Sequence, residues 1–237
     1  MQKILIIMNG LTATGKSTTA RRLSNHFDLN LFQTCAIRAQ KFGRAATISE
    51  EERAWVYDEM FRLASEIIEN ANGIIFDGSF YKRMQRLRAY KWALEHNLYM
   101  VIIQCICPNK VLIIQRIENR IGKTSPEAEA CSMKDYYHWE KQAESINGDL
   151  FMSDMLSYVL TYNTEANIVD LSHHYSHKVL DIATYLVSTW PTEITQEIKS
   201  QKITQAGGSF RNNSKWIYER MPLTCPIYIN RNKVFLK

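Results

Sequence analysis

Apolar residues along this chain fall into blocks of two spacings. Ile4-Leu5-Ile6-Ile7-Met8, Ile74-Ile75-Phe76 and the run from Tyr99 to Cys105 are short and continuous, as expected of strands buried on both faces. Between them lie stripes of helical period: Ala20, Leu23 and Phe27, then Trp55, Met60, Leu63, Ala64, Ile67, Ile68 and Ala71. The spacing predicts helices from Lys16 to about Phe27, from the capping box at Ser49-Glu50-Glu51-Glu52 to Asn72-Gly73, and from about Phe80 to His96. Further helices are predicted from Asn109 to about Gly122, from Glu127 to Ser145 and over Tyr175–Thr189, with short strands at Leu29–Thr34, Ser157–Thr161 and Ile168–Asp170. Strands alternating with helices imply right-handed crossovers and a parallel sheet covered on both faces, an α/β three-layer arrangement.

The pattern weakens after Trp190-Pro191. Residues 200–215 carry Gly207-Gly208, Ser209, Asn212, Asn213 and Ser214 with few apolar positions, which reads as a linker. Pro226–Ile229 and Val234–Leu236, around Asn230-Arg231-Asn232-Lys233, read as a short hairpin too small to fold alone. The expected division is a domain over residues 1–190 and an extension over 191–237 that docks on it, contacts a partner or second copy, or stays mobile.

The loop after the first strand changes this picture from fold to chemistry. Gly10-Leu11-Thr12-Ala13-Thr14-Gly15-Lys16-Ser17 is a complete GxxxxGKS phosphate-binding loop between a strand and a helix. A helix starting there turns unpaired N–H groups and its positive dipole end toward the loop. Gly10, Thr12, Ala13, Thr14, Gly15, Lys16, Ser17 and Thr18 are therefore the predicted cradle for a nucleotide triphosphate. Lys16 reaches the β- and γ-phosphates and Ser17 offers its hydroxyl to Mg²⁺.

In a parallel sheet the functional groups gather at the carboxyl ends of the strands. Asp77 closes the strand Ile74–Phe76, where a carboxylate can hold Mg²⁺ through water or accept a proton from an attacking hydroxyl; it could also cap the following helix with Ser79. Arg116 and Arg120, four apart on one predicted helix and followed by Gly122, Lys123 and the Thr124-Ser125-Pro126 break, suit a lid over a transferring phosphate. Lys82, Arg83, Arg86 and Arg88 form a basic cluster with two readings, surface charge or acceptor binding.

Composition narrows the setting. The 237 residues are 46% hydrophobic and 22% charged, which suits one main domain with a substantial core. A net charge of +5 is mild support for an anionic ligand. Five cysteines, without a second CxxC or a matched histidine pair, read as buried thiols rather than metal ligands. The N-terminal apolar run is too short for a signal peptide and no run is long enough to span a membrane, so a cytoplasmic setting is expected.

GLTATGKS, IIFDGSFYKRMQR, CICPNKVLIIQRIENR, TSPEAEA and VLTYNTEAN, in that order over about residues 1–170, together resemble the P-loop kinases related to polynucleotide 5′-kinase and zeta toxin. The resemblance implies that Lys16 and Ser17 bind phosphates and Mg²⁺, that Arg116 and Arg120 contact the transferring phosphate, and that Tyr162, Asn163 and Thr164 pack against adenine. Members of that group carry Asp-x-x-Arg after the second strand, where the aspartate takes the acceptor proton and the arginine binds acceptor phosphate. This chain has Cys35-Ala36-Ile37-Arg38, so Arg38 matches and the aspartate is replaced by a thiol that is mostly neutral at pH 7. The resulting expectation is an ATP- and Mg²⁺-dependent kinase acting on a hydroxyl of a nucleic acid 5′ end or a small molecule. The alternatives are a nucleotide-responsive binding module and a simple ATPase.

Overall fold

The computed structural model describes residues 3–43, 49–120, 132–146, 149, 157–171, 177–188, 227–230 and 233–236. Strand β1 (Ile4–Asn9) is buried along its whole length and forms the centre of the molecule. It pairs in parallel with β3 (Gly73–Asp77) on one side and β4 (Tyr99–Ile106) on the other. Strand β2 (Asn30–Gln33) adds in parallel to β3, and β5 (Ser157–Asn163) in parallel to β4. The sheet then reverses: β6 (Ile168–Leu171), β8 (Lys233–Leu236) and β7 (Ile227–Asn230) each run antiparallel to their neighbour, giving the order β2-β3-β1-β4-β5-β6-β8-β7. The predicted C-terminal hairpin thus pairs with itself and extends the sheet through Val169 and Val234.

Continuous apolar strands require cover on both faces, and two cores supply it. On one face Ile4, Ile6, Met8, Ile75 and Val101 pack against α1 (Lys16–Phe27) and α7 (His177–Ser188), through Ala20, Leu23, Ile182 and Leu186. On the other, Leu5, Ile7, Ile74, Phe76 and Ile102 meet α2 (Thr34–Phe42), α3 (Glu50–Ile67) and α4 (Arg83–Glu95). A third, smaller cluster of Ala13, Cys107, Ile113, Ile117 and Tyr136 seats α5 (Lys110–Glu118) and α6 (Met133–Gln142) against the loop after β1. That cluster positions the site.

Most predicted elements are present with shifted ends. The Ser49 box forms in full, Ser49 Oγ accepting from Glu52 N and Glu52 Oε2 accepting from Ser49 N, and the helix passes into a 3₁₀ turn at Ile68–Asn70. Helix α4 begins at Arg83 rather than near Phe80, because Lys82 and not Asp77 is its N-cap. Helix α2 has no counterpart in the sequence reading, since only Ile37 on it is fully buried and its apolar stripe is weak. Helix α5 ends at Glu118, so Arg120 lies past its end instead of sharing its face with Arg116. The proposed lid break at Gly122–Pro126 and the linker at 200–215 lie outside the described residues, as do Cys131 and Cys225.

The basic cluster divides. Arg86 is 1% exposed and forms a buried ion pair with Asp149, while its Nη1 donates to Phe80 O at 2.9 Å and Nη2 to Ser145 O at 3.0 Å. It is an internal bracket that ties α4 to the segment after α6. Arg88 pairs at the surface with Asp58.

Candidate active site

The loop Gly10–Ser17 has the backbone shape its glycines predict. Gly10 adopts φ +133 and its N–H donates to Ser79 O at 3.2 Å; a Cβ there would lie 2.4 Å from the carbonyl oxygen of Cys105. Gly15, at φ +95, is the N-cap of α1 and packs under Thr164, whose Cγ2 would be 3.0 Å from an added Cβ. Only glycine fits both the torsion and the space at Gly10. Ala13 is also left-handed, at φ +62. Thr14 closes the turn, its Oγ1 donating to Leu11 O at 2.7 Å. Lys16 Nζ donates to the same carbonyl at 2.6 Å. Thr12 and Ser17 are half-buried, and Thr18 is exposed on the first turn of α1.

Asp77 ends β3 opposite Met8 of β1 and Gln33 of β2. Strand alternation places it on the face of Ile75 and Met8, the side covered by α1, and it is 3% exposed. Gln33 Nε2 donates to its Oδ2 at 2.8 Å, and Thr34 Oγ1 to its backbone carbonyl at 3.2 Å. A carboxylate oxygen and a serine hydroxyl are oxygen donors of the chemical type Mg²⁺ takes, one or two at a time, completing its shell with phosphate and water.

Arg116 and Thr164 join the loop to the far side of the sheet. Arg116 Nη1 donates to Ala13 O at 3.0 Å and to Thr164 Oγ1 at 3.3 Å. Thr164 Oγ1 donates to Thr14 O at 2.8 Å, and its N–H to Ile106 O at 2.9 Å. Asn163 organises the same turn, its Oδ1 accepting from Glu165 N and Ala166 N. Tyr162 does not share this role. It is 1% exposed within the core beneath α1 and α7, its hydroxyl donates to Asn167 Oδ1 at 2.9 Å, and burial pushes its phenol up to about 12. In a strand, neighbours point to opposite faces, and Tyr162 points inward.

Cys105 is buried below the loop, and burial pushes its thiol up to about 12 against the opposing pull of Lys16. Cys35, Cys105 and Cys107 are not joined in disulfides, and no cluster of three metal-ligating side chains occurs among the described residues. Arg38 and Cys35 stand half-buried one turn apart on α2. Burial lowers the Arg38 pKa, Cys35 pulls it back up, and the positive field of Arg53 lowers it further. The sequence reading passed over Gln33, whose register opposite Asp77 appears only once β2 and β3 are paired.

Beside the loop, between the end of β4 and α6, lies a cavity of about 290 Å³ whose walls include Asn9, Leu11, Tyr81, Gln104 and Tyr136. No helix among the described residues is long and apolar enough to cross a membrane.

A parallel sheet with β1 central, a GKS loop running from β1 into α1, and a strand-end aspartate one strand away make this an α/β P-loop NTPase of the kinase-like type, with helices on both faces of the sheet. The AAA domain family matches residues 5–139, more than half of the chain, and the chain belongs to that family. Among solved structures, Kti12 of Chaetomium thermophilum in complex with ADP-AlF3 is 17% identical at a TM-score of 0.52, over 67% of this chain and 88% of that one. A sugar kinase from Janibacter sp. is 17% identical at 0.47, over 68% and 86%. A chain of the Pnkp1/Rnl/Hen1 RNA repair complex is 18% identical at 0.47, over 60% and 45%. No curated protein matches the chain.

Proposed function

We propose that the protein is an ATP- and Mg²⁺-dependent kinase that transfers the γ-phosphate to a hydroxyl acceptor. The observation that carries this reading is the convergence of Lys16, Arg116 and Thr164 on the carbonyls of one loop from three separate elements, with Asp77 ending the strand beside β1. Lys16 exchanges its bond to Leu11 O for the β- and γ-phosphates and orients them. Ser17 and Asp77 would hold Mg²⁺, which when bound would screen the phosphate charge. Arg116, anchored on Ala13 O, presents its guanidinium beside the transferring group, with Arg120 just past the end of α5. Asn163 and Thr164 shape the adenine side, while Tyr162 supports that turn from within the core. In the transfer, the acceptor oxygen forms a bond to the γ-phosphorus as the bond to the β,γ-bridging oxygen breaks. ADP leaves with that electron pair and the acceptor proton passes to solvent. Because such transition states are loose, positioning supplies most of the rate and a thiol at Cys35 is tolerated.

A second reading of the acceptor, a nucleic acid 5′ end, is favoured by Arg38, whose neighbour Arg53 makes that part of α2 and α3 attractive to an anionic group. The nucleotide-responsive module, in which residues 191–237 carry a partner contact, is the reading left if transfer fails. The deciding experiment is transfer of labelled γ-phosphate to hydroxyl compounds and to 5′-hydroxyl oligonucleotides, with Lys16→Ala as blank. Label absent from the blank supports the kinase. ATP binding without any labelled acceptor refutes it.

A further inference from the structure

Helix α2 begins at a residue that does not cap it. Gln33 holds the N-cap position with an extended backbone, where serine, threonine, aspartate and asparagine are favoured, and its side chain makes no capping hydrogen bond. Its amide is directed across the sheet instead, Nε2 donating to Asp77 Oδ2 at 2.8 Å. Thr34, the first residue of the helix, serves the same partner, its Oγ1 donating to the Asp77 backbone carbonyl at 3.2 Å. Pairing of β2 with β3 sets Gln33 opposite Asp77, so the junction from β2 to α2 forgoes a helix cap and holds a carboxylate.

Asp77 ends the strand beside β1, which leads into the phosphate loop. Beyond burial, which raises it, the Cys105 thiol responds to Lys16, which lowers its pKa, and to Asp77, which raises it, so the lysine and the carboxylate lie within electrostatic range of one buried atom. The group that holds Asp77 is a neutral amide. A lysine or arginine in its place would neutralise the carboxylate, whereas an amide N–H fixes its orientation and leaves its charge for a cation. A carboxylate with one oxygen engaged and its plane fixed suits Mg²⁺, which takes single oxygens in near-ideal octahedral geometry. It suits Ca²⁺ less, since Ca²⁺ accepts bidentate carboxylates and flexible surroundings.

We propose that Gln33 is a positioning residue of the nucleotide site, and that by holding the Asp77 carboxylate in one orientation it sets a preference for Mg²⁺ over Ca²⁺. The inference rests on the reading of Asp77 as a metal-holding carboxylate, and its test is binding, without phosphoryl transfer. Titration calorimetry of the full chain with a non-hydrolysable ATP analogue, in EDTA, in Mg²⁺ and in Ca²⁺, gives the affinity gained from each metal. In the wild type the gain from Mg²⁺ should be the larger. Gln33→Leu removes the donor and should lower the Mg²⁺ gain about tenfold, as expected for loss of a hydrogen bond to a charged group, with the metal-free affinity and the Ca²⁺ gain within about twofold of the wild type. Gln33→Asn separates positioning from folding, because asparagine is a favoured N-cap and its amide is one methylene shorter. It should be at least as stable as the wild type in urea and still lose the Mg²⁺ gain. An Mg²⁺ gain kept in both variants, or affinities that fall equally in all three conditions, overturns the role of Gln33 and leaves the reading of Asp77 standing. A wild type that gains nothing from Mg²⁺ overturns both.

Discussion

Thr164 Oγ1 donates to the backbone carbonyl of Thr14 at 2.8 Å, linking the turn after β5 to the phosphate loop across 150 positions of sequence. Arg116 bonds the same hydroxyl oxygen and the carbonyl of Ala13. The loop's shape is thus held from outside as well as by its own glycines.

Thr164→Val keeps the side-chain volume and removes the donor. Titration calorimetry with a non-hydrolysable ATP analogue should show affinity weaker by about tenfold, the effect of one buried hydrogen bond, and Thr164→Ser should restore it. Equal affinities for all three proteins would make the Thr164–Thr14 bond incidental to the cradle.

Gly10→Ala asks an L residue to adopt φ +133 with its Cβ 2.4 Å from Cys105 O. The strain is about 1–3 kcal/mol even before the contact is relieved, so chemical denaturation should show at least that loss and nucleotide binding should fall with it. A variant with wild-type stability would mean that the loop and the end of β4 can separate freely.

Arg86 and Arg88 lie two positions apart and should behave very differently. Arg86→Ala leaves the Asp149 carboxylate, itself 10% exposed, without its buried partner and should cost about 3–5 kcal/mol in urea unfolding. Arg88→Ala removes a surface pair and should cost about 0–1 kcal/mol. Similar losses for the two would remove the bracket role of Arg86.

Burial raises the Cys105 thiol to about 12, above its ordinary value near 8.5. The folded state therefore keeps the proton while the unfolded chain releases it, so this contribution is complete below about pH 8.5 and is lost as pH rises toward 12. Comparing unfolding free energies of the wild type and Cys105→Ala at pH 8 and pH 10.5 isolates it. The wild type should lose more over that interval; parallel losses would show that Cys105 does not titrate with unfolding.

How much the sequence disclosed depended on whether a signal was local. The strand, loop and helix around Lys16 were legible because glycine, lysine and serine at fixed offsets have local reasons to be there, and the Ser49–Glu52 box closes within one turn. The motif gave Tyr162 a position along the strand but no face, because a motif does not say which side of a strand a side chain takes. Arg86 kept two readings, surface charge or acceptor binding, because its partner, Asp149, lies 63 residues away. Helix α2 escaped notice because it buries little beyond Ile37. The cavity at Tyr81 was invisible for the same reason as Asp149: its walls come together only when β4, α5 and α6 pack.

The pairing of β8 with β6 has a consequence for synthesis. Residues 233–236 leave the ribosome long after Ile168–Leu171, so during translation the outer backbone edge at Val169 and Asp170 stays open while the five parallel strands can already assemble. An open edge invites pairing with other chains. The nascent protein thus passes through an interval in which the parallel strands around its nucleotide site can form before β8 covers β6, and once the hairpin has paired the outer edge of the sheet moves from β6 to β7.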